Sequence, residues 1–156
     1  MAISSNDQKT VDIRQMVPED YAQVYNLWIS TPGMGLNNVD DSPEGISRLI
    51  KRNPTTCLVA LSEGEIIGVI LCGHDGRRAY IYHTAVKISE RGRGVGRALV
   101  ERLLDALRKE SISKVALVVF TRNDSGNQFW EKLGFKARND LVYRNLAIAA
   151  LTRIDT

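Results

Sequence analysis

Apolar and polar residues alternate from Val11 to Gln15, the two-residue period of a half-buried strand. Pro18-Glu19-Asp20 then sets up a helix start, and Tyr21, Val24, Tyr25, Leu27 and Trp28 follow at helical spacing. Ser30 to Asp41 reads as loop, being rich in Pro, Gly, Asn and Asp. Ser42-Pro43-Glu44 supplies an N-cap, a first-turn proline and an early acid for a second helix reaching about Arg52. The apolar runs Thr55–Leu61 and Ile66–Gly73 flank Ser62-Glu63-Gly64-Glu65, whose turn chemistry joins them as a hairpin. After the turn His74-Asp75-Gly76-Arg77 comes a strand, Ala79–Lys87, and the three strands form an antiparallel meander.

In the second half the period changes to helical. Val95, Ala98, Leu99, Leu103, Ala106 and Leu107 line one face of a long helix running to about Lys109. Lys114–Phe120 is a continuous apolar run and predicts a central strand, Asp124–Leu133 a helix closed by Gly134, and Phe135–Ala147 one or two strands. The order β-α-α-β-β-β-α-β-α-β predicts an α/β (α+β) fold: a central mixed, mostly antiparallel sheet with helices on both faces. The crossover from Ala79–Lys87 through the long helix to Val115–Phe120 is expected to be parallel and right-handed.

With 156 residues, 44% of them apolar, the chain can build one core, and residues 1–156 read as a single domain. The apolar runs Val115–Phe120 and Leu146–Leu151 fall far short of the roughly 20 residues a membrane span needs. Met1–Lys9 is polar and lacks the apolar centre of an export signal, so a cytoplasmic protein is expected. Cys57 and Cys72 sit in strand-like runs as small hydrophobes; with two histidines they make no metal-ligand spacing, and no metal is expected. The net charge of +3 hides an asymmetry: residues 1–78 carry 7 basic and 10 acidic side chains, residues 79–156 carry 14 and 8. The second half therefore suits an anion. Nucleic acid is not the expected one, for the sequence has no aromatic RNA-binding signature, zinc-finger spacing or dense basic tract.

A better anion site lies at the start of the long helix. Arg91-Gly92-Arg93-Gly94-Val95-Gly96-Arg97 places three glycines at alternate positions between a strand and a helix. Glycine lets backbone N–H groups approach a ligand, and a helix N-terminus offers unpaired donors and positive dipole. A pyrophosphate is the expected ligand. Neither the P-loop pattern nor a dinucleotide fingerprint after the first strand is present.

Val86 followed by Arg91-x-x-Gly94-x-Gly96 resembles the acyl-CoA motif of the GNAT superfamily of acetyl-CoA-dependent N-acetyltransferases. Asn123, Phe129, Gly134 and Phe135 stand where that family has its second CoA-contacting segment. The resemblance implies that Thr84, Ala85 and Val86 supply backbone bonds to pantetheine. It implies further that Gly92, Arg93, Gly94, Val95, Gly96 and Arg97 cradle the pyrophosphate behind Arg91, and that Asn123 reaches the pantetheine. The co-substrate is then acetyl-CoA and the partner a primary amine, on a small molecule or a peptide. A homodimer is left open.

The sequence departs from the family at two places. Trp130 stands where relatives have a Tyr that protonates the leaving thiolate, and Val118 where some have a Glu base. Trp130 then becomes a wall of the CoA channel, because an indole N–H is no general acid near neutral pH. Tyr82 and Tyr80, alternating on the strand before the glycine loop, are the expected catalytic groups. His83 is chemically the better base but belongs to the opposite face unless a bulge intervenes. Asp40 and Asp41 are the expected attraction for a cationic acceptor. The competing reading is a degenerate CoA-binding sensor or interaction module without efficient transfer.

Overall fold

A computed structural model describes residues 9–156; residues 1–8 of the polar lead-in lie outside the described residues. The elements in chain order are β1 (Asp12–Gln15), α1 (Tyr21–Ile29), β2 (Leu36–Asn37), α2 (Pro43–Arg52), β3 (Cys57–Ser62), β4 (Glu65–His74), β5 (Ala79–Val86), α3 (Val95–Lys109), β6 (Val115–Ala116), α4 (Asp124–Lys132) and β7 (Arg153–Ile154). The central sheet has five strands in the order β1-β3-β4-β5-β6, antiparallel except for the parallel β5–β6 pair that α3 connects. Helices cover both faces. Ile70 and Ile81 pack with Leu99 and Leu103 of α3 and Trp130 of α4 on one side. Val69, Leu71 and Ala85 pack with Trp28 of α1 and Ile46 and Ile50 of α2 on the other. Cover on both faces explains why β3 and β4 read as apolar runs rather than as alternation. No helix among the described residues is long and apolar enough to cross a membrane.

A polar clamp fixes the step from β1 to α1. Asp20 is buried; its carboxylate accepts from both terminal nitrogens of Arg14 at 2.7 and 2.9 Å and from the Val17 N–H at 2.9 Å. The Arg14 bond, chiefly, holds its carboxyl below the ordinary value. The unfolded carboxyl has the higher pKa, so this stabilisation is present above that value and is lost as pH falls through the lower native one. Asp20→Asn is expected to lower stability at neutral pH by about 1–3 kcal/mol and to flatten the acid limb of a Tm–pH curve. An unaltered acid limb would remove that role.

Two strand readings are corrected by the structure. Lys114–Phe120 is the sheet's edge and not a central strand. Only Val115 and Ala116 pair, with Ala79 and Tyr80, while Val118 and Phe120 are 56% and 44% exposed. Phe135–Ala147 forms no strand, and Leu141, Val142, Tyr143 and Leu146 are exposed. Apolar composition made these segments look like strands, but a strand also needs a neighbour within hydrogen-bonding reach. The loop 30–41, conversely, contains β2, paired antiparallel with β7. Asn38 N–H donates to Thr152 O at 3.0 Å and Thr152 N–H to Asn38 Oδ1 at 2.6 Å, fastening residues 152–156 to that loop.

Candidate active site

The parallel pairing of β5 with β6 ends after Tyr80↔Ala116, and from Ile81 onward β5 has a strand on one side only. A wedge opens there. Lys87 N–H donates to Ile67 O at 2.8 Å, so by antiparallel alternation Ala85 also turns its backbone toward β4, and Thr84 and Val86 turn theirs into the wedge. Ala85, expected to bind pantetheine with its neighbours, is therefore committed to the sheet and packs in the core. Thr84 Oγ1 is buried in this region with no hydrogen-bond partner among the described residues. The Val86 carbonyl accepts from Arg91 Nε at 3.1 Å, which leaves its N–H for a ligand.

The register of β5 against β4 steps from Cys72↔Ile81 to Ile70↔Thr84, so that Tyr82 and His83 together oppose Leu71. This bulge changes the parity of the strand. Ile81 faces α3, and beyond the bulge Val86 does so again. Tyr80, Tyr82 and His83 are brought to the α1–α2 face. The Tyr80 and Tyr82 ring centroids lie 4.8 Å apart, and His83 meets Trp28 edge-on at 4.9 Å. His83 Nε2 is 2.6 Å from Asp41 Oδ1, with side-chain exposures of 15% and 5%. Asp41 Oδ2 accepts from Asn37 N–H at 2.8 Å, and the Tyr21 hydroxyl donates to the Asp41 carbonyl at 2.6 Å.

Asp41, expected to attract a cationic acceptor, is thus spent on orienting His83. Asp40 accepts from Asn37 Nδ2 at 2.9 Å. Burial, followed by the neighbouring Tyr143, pushes the Tyr80 hydroxyl up to about 12; burial and then Cys72 and Asp40 also raise Tyr82. Neither phenol is disposed to ionise near neutrality. Both serve as neutral hydroxyls, which favours His83 over the tyrosines as a base.

At the far end of the wedge α3 starts at Gly94 (φ 80°) without a side-chain cap, and its first helical bond is Ala98 N–H to Gly94 O at 3.0 Å. The N–H groups of Val95, Gly96 and Arg97 precede that bond and suit an anion. Two of the expected cradle residues also make structural contacts. Arg93 bonds Glu90 and the Lys9 carbonyl, bracing the turn instead of reaching into it. A Cβ on Gly96 would lie 3.1 Å from the Phe129 ring, so this glycine admits α4 against α3. Gly92, by contrast, is open, with φ 77°. Arg97 is exposed beside Glu101 at 3.9 Å.

Asn123 caps α4 by accepting from Gly126 N–H at 3.0 Å. Trp130, expected as a channel wall, is 9% exposed and sits edge-to-face between Phe129 and Phe135 at 5.0 Å from each. The geometry makes it a core residue. Sequence reasoning missed the role of Asp41 and the backing of His83 by Trp28; the only available signal was the condition that a bulge could turn His83.

Residues 21–135 match the Acetyltransferase (GNAT) family. Acetyltransferase plu1384 of Photorhabdus laumondii is 32% identical over 133 residues, 83% of this chain and 89% of that protein. Acetyltransferase SG1711 of Sodalis glossinidius is 31% identical over 132 residues, 85% and 92% of the two chains. Among solved structures, Ard1 from Thermoplasma volcanium aligns with a TM-score of 0.71 at 27% identity, covering 80% of this chain and 81% of that one. The PaiA N-acetyltransferase from Thermoplasma acidophilum, in complex with coenzyme A, shares the fold with a TM-score of 0.73 at 20% identity, covering 83% and 92%. The glycine-rich start of α3, the split between β5 and β6 and the capped α4 fall within this match, and the chain belongs to the GNAT acetyltransferase family.

Proposed function

We propose that the protein moves acetyl from acetyl-CoA directly to a primary amine. The observation that carries this reading is the β5–β6 wedge, which presents the Thr84 backbone and the Val86 N–H, without a strand partner, beside the orphaned Thr84 hydroxyl and leads to the uncapped start of α3. A pantetheine arm fits the first part and a pyrophosphate the second. Acetyl-CoA supplies an activated thioester. His83 takes the proton that an ammonium must lose before its nitrogen can attack. The amine nitrogen bonds to the acetyl carbon as the carbon–sulfur bond breaks; sulfur leaves as the CoA thiolate and takes up the second proton, which the new amide nitrogen sheds. Burial raises the thiols of Cys57 and Cys72 to about 11 and about 12, so neither supplies a thiolate for an acyl-enzyme.

Calorimetry with CoA and thiol release from acetyl-CoA over a panel of primary amines test the reading. Binding is expected, weaker by a few-fold in Thr84→Val, with thiol released only when amine and acetyl-CoA are both present. Binding without release for any amine would favour a sensor that holds CoA and does not transfer. Absence of binding would overturn the proposal.

A further inference from the structure

On the sheet face that carries His83, alongside the β5–β6 pairing and reaching from the residues that precede both strands up to Tyr82, lies a cavity of about 610 Å³. Arg52 closes α2, Arg78 precedes β5 and Lys114 precedes β6, and all three reach its wall together with Tyr80 and Tyr82. Arg78 and Lys114 are held side by side: Arg78 Nη1 donates to Ser113 Oγ at 3.1 Å, and Lys114 O accepts from Ala79 N–H at 3.1 Å. Among the described residues none of the three cations has a carboxylate within 4.0 Å. Asp75 is the one acidic residue of the lining, and its Oδ1 accepts the N–H groups of Arg77 and Arg78 at 2.7 and 2.8 Å. The wall therefore carries three positive charges against one committed negative charge.

We propose that this cavity takes an anionic group carried by the acceptor itself, a carboxylate or a phosphonate, so that the substrate is an amine with a negative charge on the same small molecule. The proposal rests on the amine-acetyltransferase reading. The cavity lies in the range of small-molecule sites, about 300–1,000 Å³. Guanidinium forks match carboxylate and phosphonate oxygens, while like charges repel a polyamine from the same wall. Tyr82, which lines the cavity, is the neighbour of His83 in the β5 bulge. An acceptor anchored by its anion would present its amine to the imidazole.

The test compares amino acids with their carboxamides, 2-aminoethylphosphonate, spermidine and an aminoglycoside on the whole protein saturated with acetyl-CoA. The carboxylate or the phosphonate is expected to exceed its uncharged counterpart and the polycations in kcat/KM by about ten- to a hundredfold, chiefly through KM. Arg52→Gln, Arg78→Gln and Lys114→Gln should each narrow that gap. Preference for carboxylate over phosphonate, or the reverse, identifies the anion. Calorimetry of amino acid and carboxamide on the CoA-bound protein separates the two readings. Carboxylate-selective binding lost in Arg78→Gln, with no thiol release from any amine, would sink transfer and keep the anion site. Equal binding of carboxylate and carboxamide, or preference for spermidine, would overturn the anion site whatever the turnover.

Discussion

Replacing His83 with Gln is expected to lower kcat by about 10²–10⁴-fold, the usual contribution of general base catalysis, while CoA affinity is retained. The imidazole is held from two sides, by Asp41 Oδ1 at 2.6 Å from Nε2 and by the edge of Trp28. A carboxylate on Nε2 favours the tautomer with hydrogen there and leaves the lone pair on Nδ1 for an incoming proton. Glutamine keeps a polar, similarly sized side chain but cannot take that proton. Because the deficit arises from deprotonating the acceptor, it should shrink as pH rises toward the amine's own pKa, near ~10 for a lysine-like amine. Asp41 is buried and bonded to His83, through which it would act, so Asp41→Asn should give a smaller fall in kcat with the acceptor KM little changed. Full kcat in His83→Gln, measured by thiol release, would return the proton to water or to Tyr82.

The second large effect is expected at Gly45, which the chemistry never touches. A Cβ there would lie 2.4 Å from the carbonyl oxygens of both Val39 and Asp40. These are backbone atoms and cannot rotate away, and Ser42 Oγ pins the same turn by accepting Gly45 N–H at 3.0 Å. Gly45→Ala must push the 39–41 segment outward, at a stability cost of about 1–3 kcal/mol typical of overpacking. The displaced segment carries Asp41, so the loss of activity should exceed what unfolding explains at a temperature where the variant is folded. Arg48→Ala, exposed on the same helix, should stay within roughly ±0.5 kcal/mol of the parent. A Gly45→Ala protein with parental Tm and kcat would show that this loop yields freely.

What the sequence disclosed was whatever is local. The apolar stripe of α3 and the glycines before it lie within a few turns of chain, and Asn123 announces α4 by its capping chemistry alone. The orientation of His83 is different in kind. It depends on two residues of β5 standing against Leu71 of β4, a count that requires both strands in register. Asp41 meets His83 across 42 positions of chain, and no periodicity reports that distance. Gly96 was legible as a glycine that something approaches closely, and on the side where a Cβ would stand the neighbour is the Phe129 ring. Phe135–Ala147 shows the opposite error, β-like composition with no ladder to join.

The fastening of residues 152–156 to the loop around Asn38 bears on the order in which the molecule matures. Thr152 and Asn38 are 114 positions apart, whereas the hairpins of the central sheet close over a few residues. Closing so wide a loop is entropically slow, and contacts of this separation form after local ones. During synthesis the sheet and both sets of helices can be assembled while the segment bearing Asp41 still lacks its distal strap. In refolding, burial of Trp28 should be complete before acetyl transfer reaches its final rate, and the lag between the two would measure the time residues 152–156 take to find their place.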